Sequence, residues 1–183
     1  INATSVVGAG AVAGAAVPFL ASWQPSAKAE AAGAPAIADI SKLLPGEMLI
    51  VEWRGAPIYV VKHSQESLEL ISQNLSRLSD PNSLADMQPE YARNELRSRK
   101  PGISVLSAVC THLGCAPKFY PELGTTDFDS NWQGGFFCPC HGSKFDLAGR
   151  VYSGVPAPDN LAIPPHYFQD ENILIIGEDG EAV

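Results

Sequence analysis

Short apolar runs separated by turn residues dominate the chain after residue 37 and predict a mainly β fold. Residues 48–53 and 58–63 are rich in β-branched and aromatic side chains, and the Arg-Gly-Ala-Pro between them predicts a hairpin. Other apolar runs are bounded by glycine, proline or aspartate. They predict further strands at residues 103–109, 134–137, 150–154, 160–165 and 172–177.

Between the hairpin and the later strands, the apolar positions take the period of a helix. Apolar side chains recur at three- and four-residue spacing at Leu68, Ile71, Leu75 and Leu78. Ser64 is a suitable N-cap for this helix, and Asp80 followed by Pro81 ends it. A weaker helix is expected over residues 83–97. The pattern therefore predicts a β head with a helical insertion.

An uncharged N-terminal segment predicts a membrane anchor. No charged side chain precedes Lys28, and residues 1–23 as a helix would be about 35 Å long, which exceeds the bilayer core of about 30 Å. The alternative is the apolar core of a signal peptide. Because the chain opens on isoleucine, we expect a further piece upstream of Ile1. Residues 24–36 have the composition of a flexible hinge linker, with a helix as the alternative.

The charge excludes one large class of function. The net charge is −8 at pH 7, and no basic stripe exists that could neutralise nucleic-acid phosphates. At 183 residues the chain is long enough for one head domain with its own core, residues 37–183, in addition to the anchor and the linker.

The metal-binding side chains fall in two short blocks. All four cysteines and two of the four histidines lie in CTHLGC, residues 110–115, and CPCHGS, residues 138–143. Two such blocks, each at the end of a predicted strand, are typical of paired metal-binding knuckles. The other two histidines, His63 and His166, are expected at the surface rather than on a metal.

The cysteines and histidines of the two blocks are too many for one four-ligand site. One symmetric solution takes one cysteine and one histidine from each block: Cys110, His112, Cys138 and His141. The remaining Cys115 and Cys140 could then meet as a disulfide if the two loops lie side by side. The spacing alone also permits a structural zinc ion with two cysteine and two histidine ligands.

The two blocks together resemble those of the Rieske iron–sulfur proteins, in which two histidines replace two thiolates on one iron of a 2Fe–2S cluster. The anchor, the small-residue linker, the helical insertion and a proline-bearing loop, SGVPAP at residues 153–158, are similar to the member of this family in respiratory cytochrome bc complexes. The resemblance covers essentially the whole chain. It implies an antiparallel head of three sheets, with a small cluster-binding subdomain at about residues 108–160.

The resemblance also implies a role for each site residue. It implies cluster ligands at Cys110, His112, Cys138 and His141, a disulfide between Cys115 and Cys140, a cluster hydrogen bond from Ser143, and shielding by Leu113, Pro156 and Pro158. His141 would accept the proton and the electron of the quinol. Many members have tyrosine where this chain has Phe145, and the tyrosine hydroxyl donates to a ligand cysteine sulfur. Phenylalanine is therefore expected to lower the potential.

Function, partners and location follow from the same resemblance. Respiratory members carry an electron from quinol at cytochrome b to a c-type cytochrome by swinging the head on its hinge, which implies a quinol–cytochrome c oxidoreductase and a dimeric complex. A disulfide requires an oxidising compartment, so we expect the head in a periplasm or intermembrane space and the N-terminus in the cytoplasm or matrix. The alternatives are a membrane-anchored Rieske carrier outside such a complex and the structural zinc site.

One stretch between the two blocks has no assigned role. KFYPELGTTDFDSNW, residues 118–132, lies in a segment between the blocks that is longer than the mitochondrial pattern of this family. It is interpreted either as a surface loop or as a contact with a neighbouring subunit.

Overall fold

The computed structural model describes residues 2–26, 29, 33–73 and 75–180. The chain divides into two compact units, Ile1–Ala34 and Pro35–Val183. Of the linker predicted at residues 24–36, residues 27, 28 and 30–32 lie outside the described residues.

The first unit contains one long apolar helix, α1 (Asn2–Ala21). Its 20 residues carry no charge, none of them is buried, and their length is about 30 Å at 1.5 Å per residue. The helix is long and apolar enough to cross a membrane. It therefore has the dimensions that the predicted anchor requires.

In the part of the second unit that the structure describes, there are three antiparallel sheets of three strands each. Its strands and helix, in chain order, are β1 (Ala36–Asp39), β2 (Met48–Trp53), β3 (Ala56–Lys62), α2 (Gln65–Gln73), β4 (Ile103–Ser107), β5 (Lys118–Gly124), β6 (Trp132–Phe137), β7 (Lys144–Phe145), β8 (His166–Phe168) and β9 (Ile173–Ile176). The sheets have the strand orders β1-β9-β8, β2-β3-β4 and β5-β6-β7. The mainly β head that the sequence predicts is confirmed.

Most apolar runs form strands where the pattern predicts them. The hairpin of β2 and β3 is confirmed, with Met48 opposite Val61 and Trp53 opposite Ala56. β4 and β9 also lie within the predicted runs, and β6 contains the run predicted at residues 134–137. These segments have alternating or continuous apolar positions that one sheet face can bury, which is why their period identifies them.

Two predicted strands are wrong. Residues 160–165 form no strand, because Pro164 and Pro165 have no backbone N–H to donate across a sheet, and β8 begins directly after them. Residues 150–154 make only isolated bridges. Four strands of the described structure, β1, β5, β7 and β8, have no counterpart among the predicted ones, and β5 lies in the stretch at residues 118–132 that has no predicted role.

The helical insertion is only partly as predicted. The Ser64 hydroxyl accepts the N–H of Ser67 at 3.2 Å and caps α2, as expected. The chain continues into a 3-10 turn at Leu75–Arg77. The second predicted helix, residues 83–97, is wrong: the described structure has only a 3-10 turn there, Glu90–Ala92.

The buried ion pair of Arg150 and Asp146 links the helical insertion to the segment that follows the second cysteine block. Arg150 has no exposed surface and pairs with Asp146 at 2.7 Å. The same guanidinium donates to the backbone carbonyls of Ile71, Pro81 and Glu95 in the insertion. A buried charge is tolerated when it is paired and its donors are satisfied, and here the backbone of the insertion satisfies them.

The expectation that His63 and His166 lie at the surface is wrong. Their exposed fractions are 8% and 1%. His63 Nε2 forms a hydrogen bond with the Ser104 hydroxyl at 2.7 Å, and His166 Nδ1 lies 2.9 Å from the carbonyl oxygen of Pro164. Neither histidine is near the cysteine blocks in sequence, and each is bonded within the β head.

The buried His63 predicts a loss of stability in weak acid. Burial lowers the pKa of His63 from 6.5 to about 4, so between these values the unfolded chain binds a proton that the folded chain does not. Stability is fully present above pH 6.5 and falls as the pH drops towards 4, by up to about 3 kcal/mol. The melting temperature of the full chain in detergent should fall from pH 7.5 to pH 5, and less so in His63→Gln. Equal falls in both chains would assign the effect to other groups.

Candidate metal centre

The two cysteine blocks form loops of the same backbone geometry. We call residues 110–115 the first ligand loop and residues 138–143 the second ligand loop. The N–H of the leading cysteine donates to the carbonyl five residues later, from Cys110 to Cys115 and from Cys138 to Ser143, both at 2.8 Å. The glycine at the fifth position donates back to the carbonyl of that cysteine at 2.9 Å and 3.0 Å. The loops are therefore near-equivalent turns.

Both turns depend on glycine at the same step. Gly114 and Gly142 have φ values of +86° and +79°, in the left-handed region that side chains rarely adopt. Each ligand loop follows a strand-bearing segment, the first after β4 and the second after β6. The two short loops are thus positioned by the strands that precede them. Hydrogen bonds within each loop fix its conformation.

The two ligand loops lie side by side and are covalently joined. Cys115 and Cys140 form a disulfide with 6.6 Å between their Cα atoms, the pairing expected from the sequence. The imidazole rings of His112 and His141 lie perpendicular to each other, with 4.7 Å between their centroids. The two ligand loops therefore bring one histidine side chain each to adjacent positions.

The other two cysteines are free and buried. Cys110 and Cys138 each have 2% of their surface exposed. Burial raises the pKa of the Cys110 thiol, and the adjacent Cys138 thiol raises it further, while the His112 backbone N–H and the Ser143 hydroxyl lower it. A thiol in this environment keeps its proton until a cation takes its place.

Three sulfurs lie close enough to suggest another ligand group, but two of them are not available. Among the residues that the structure describes, the Sγ atoms of Cys115, Cys138 and Cys140 lie within 4.8 Å of one another. Cys115 and Cys140 are joined in the disulfide and cannot donate thiolates. Only Cys138 of this group can bind a metal, so the closeness reflects the pairing of the loops.

The free donors suit a centre with two thiolates and two imidazoles. The thiols of Cys110 and Cys138 are buried, whereas His112 is half-buried and His141 is exposed. Both sulfur donors thus lie on the protein side of the site and the imidazoles towards solvent. This donor set is that of a Rieske 2Fe–2S cluster, and also of a structural zinc site.

Ser143 connects the second ligand loop to the proline-bearing loop. Its hydroxyl is buried, acts as a donor towards the Cys110 sulfur, and accepts the backbone N–H of Ala157 at 3.0 Å. The Thr111 hydroxyl makes a parallel link from the first ligand loop, donating to the carbonyl of Asp159 at 2.7 Å. No local pattern in the sequence indicates this role of Thr111, because its partner lies 48 residues away.

The side chains expected to shield the centre lie at the surface of this chain. Leu113 is 71% exposed, and Pro156 and Pro158 are exposed on either side of the buried Ala157. Their shielding of a bound cluster stays a prediction.

Phe145 is packed against the same core as the free thiols. It is fully buried and shares a hydrophobic cluster with Cys110 and Cys138. The same cluster contains the buried Tyr59, and its hydroxyl donates to the carbonyl of Pro117 at 2.6 Å. Tyr59 therefore does not replace the hydroxyl that Phe145 lacks.

Gly135 allows β7 to approach β6 at this position. Its φ is +137°, and a Cβ there would overlap the backbone oxygen of Phe145. The Gly-Gly pair ahead of the second block is the sequence signal for this close approach of β7 to β6. The strand prediction for residues 134–137 does not use that signal.

Comparison with known proteins gives one consistent result. Residues 34–165 match the Rieske [2Fe-2S] domain. The chain is 54% identical to the ubiquinol-cytochrome c reductase iron-sulfur subunit of Allochromatium vinosum, over 98% of this chain and 86% of that protein. It is 41% identical to the protein of the same name from Blastochloris viridis, over 96% and 88% of the two chains.

A solved structure shares the fold. A chain of a hyperthermophilic respiratory Complex III superposes with a TM-score of 0.54 at 24% identity, covering 93% of this chain and 95% of that one. At this identity the similarity concerns the fold alone.

The disulfide gives a testable prediction. Mass spectrometry after alkylation without reductant should find neither Cys115 nor Cys140 modified in the intact protein. The double substitution Cys115→Ser and Cys140→Ser should destabilise the chain by about 3 kcal/mol, because it frees the unfolded state of a cross-link. Alkylation of both residues in intact protein would contradict the pairing.

Proposed function

The chain belongs to the Rieske [2Fe-2S] family, and we propose that it is the iron–sulfur subunit of a ubiquinol–cytochrome c reductase. The observation that carries the proposal is the pair of near-equivalent loops, which together present two buried free thiols and two adjacent imidazoles and are joined by a disulfide. The relatives at 54% and 41% identity, matched over nearly the whole chain, carry that name.

Four side chains would hold the cluster. They are Cys110 and Cys138 on the buried side and His112 and His141 on the exposed side. When bound, a 2Fe–2S cluster with this mixed set accepts and releases one electron at a higher potential than an all-thiolate cluster. The family membership favours this cofactor over the structural zinc ion that the donor set alone permits.

The residues around the centre supply binding and proton chemistry. His141 is exposed, so one of its ring nitrogens can form a hydrogen bond with the quinol and accept its proton. The buried environment of Cys110 and Cys138 keeps water from the sulfur side. The disulfide holds the two loops at a fixed separation, which keeps the histidines adjacent.

The architecture supports a membrane-bound complex. Residues 1–23 would act as the anchor, residues 24–36 as the hinge and residues 37–183 as the head, with the cluster-binding subdomain at about residues 108–160. The partners would be cytochrome b and a c-type cytochrome in a dimeric complex. The disulfide favours a head in a periplasm or intermembrane space, since such bonds persist in oxidising compartments. The N-terminus would then face the cytoplasm or matrix.

Purification of the native protein tests the proposal. An electron paramagnetic resonance (EPR) signal of the Rieske type in the reduced protein is expected, together with co-purifying b- and c-type haem. A zinc protein would give no such signal, and a carrier outside a complex would give the signal without the haems.

Substitution of proposed ligands tests the site. Cys110→Ser or His141→Ala should each abolish cluster assembly, because a closed four-ligand site would lose one donor. Iron content and the EPR signal are the measurements. His63→Gln, a histidine change outside the site, is the control and should keep both. A normal signal in either ligand variant would reject the assignment.

Phe145→Tyr should raise the midpoint potential. The added hydroxyl would donate to a ligand cysteine sulfur, and this hydrogen bond is stronger in the more negative reduced state. A difference of roughly 1 kcal/mol between the redox states corresponds to on the order of 40 mV. Voltammetry at one pH measures the shift. Phe168→Tyr, in β8 of a different sheet, is the control with no expected change. An unchanged or lower potential in Phe145→Tyr would show that the missing hydroxyl does not set it.

A further inference from the structure

The loop between β5 and β6 contains a buried carboxylate that pairs with two cations. The side chain of Asp129 is 6% exposed. Its Oδ2 accepts Arg77 Nη2 at 2.6 Å and Lys144 Nζ at 2.9 Å, and its Oδ1 accepts the backbone N–H of Asn131 at 3.0 Å. Arg77 also donates to the carbonyl of Asn131 at 2.6 Å. The stretch with no assigned role therefore folds onto two other segments.

One of the two cations directly follows the second ligand loop, and the other contacts the start of the proline-bearing loop. Lys144 directly follows Ser143, the last residue of the second ligand loop. Arg77 belongs to the 3-10 turn of the insertion, and its carbonyl accepts the N–H of Ser153 at 2.8 Å. Ser153 is the first residue of the proline-bearing loop. Asp129 thus connects to one loop through Lys144 and to the other through Arg77.

These two segments also contact each other. The N–H of Tyr152 donates to the carbonyl of Lys144 at 3.0 Å. The cationic groups of Arg77 and Lys144 lie 4.9 Å and 5.7 Å from the centroid of the Tyr152 ring. Beyond this junction, the Ser143 hydroxyl accepts the N–H of Ala157 from the proline-bearing loop. The hydrogen bond between Ser143 and Ala157 therefore lies next to the contacts that Lys144, Tyr152 and Arg77 make with one another.

The environment keeps Asp129 ionised. Burial on its own would raise the pKa of this carboxyl, but hydrogen bonds from Lys144, the Asn131 backbone and Arg77 outweigh burial and lower it. The arrangement differs from an ordinary surface ion pair, because one shielded oxygen accepts from two cations on different segments.

We propose that Asp129 is a positioning residue of the metal centre, which holds the second ligand loop and the proline-bearing loop in register through Lys144 and Arg77. The proposal rests on the proposed function, since it needs a cluster to position. It gives a role to the β5–β6 loop, which acts as a brace on β7, the strand that directly follows the second ligand loop.

The test uses the full chain in its membrane complex and compares Asp129→Ala with Asp127→Ala. Asp127 is an exposed aspartate in the same loop, with no hydrogen bond or ion pair among the described residues, so it is a matched control. The readouts are the width of the EPR signal of the reduced cluster, its midpoint potential, and the melting temperature. Asp129→Ala should broaden the signal and release the cluster at a lower temperature, whereas Asp127→Ala should match the wild type.

A second pair of variants separates bracing from charge. Asp129→Asn keeps the shape and one acceptor of the side chain and is the milder variant if Asp129→Ala does not fold. Lys144→Gln removes the opposite charge. If Asp129 acts as a brace, both variants broaden the signal. If only charge matters, their potentials shift in opposite directions without broadening, and the proposal is overturned.

The remaining outcomes are equally distinct. A lower melting temperature of Asp129→Ala with an unchanged EPR signal would make Asp129 a stabilising residue only, and the proposal fails while the proposed function stands. If the wild-type protein itself gives no Rieske signal, the proposed function fails and this inference fails with it.

Discussion

The site depends on the lateral pairing of two short loops. Each ligand loop forms its own turn through two backbone hydrogen bonds and one left-handed glycine, but neither loop alone provides four donors. The disulfide between Cys115 and Cys140 fixes their separation, so that two thiols point inward and two imidazoles meet at the surface. Burial of the thiols, exposure of His141 and the link from Ser143 to Ala157 all follow from that pairing.

Buried arginine side chains support the segments next to the two ligand loops. Their guanidinium N–H groups donate to backbone carbonyls. Arg97 has no exposed surface and donates to the carbonyls of Ala148 and Leu161, and Arg150 does the same towards the insertion. Burial lowers the pKa of Arg97 to about 10, which leaves it charged at neutral pH. Asp146, the partner of Arg150, directly follows Phe145. The insertion therefore supports residues 145–150, which lie just after the second ligand loop.

Local patterns identified elements but not every boundary. The hairpin of β2 and β3, the capped helix α2 and the strands β4, β6 and β9 follow from period and turn residues, which act within a few positions of each other. Residues 160–165 and 83–97 have the same composition signals but form no strand and no α-helix in the described structure. At the first, two prolines remove the donors. At the second, Pro89 lies in the middle of the segment with an extended ψ of 155°, so a helix cannot continue through it.

The sequence by itself determined the donor types, their spacing, the apolar anchor and the family resemblance, because each is encoded in consecutive residues. Only the tertiary structure decided that His63 and His166 are buried and that Asp129 joins Arg77, 52 positions away, to Lys144. Such contacts depend on how distant segments pack. No local pattern in the sequence shows how distant segments pack. An aspartate with the same sequence neighbours could equally lie in an exposed loop without a partner.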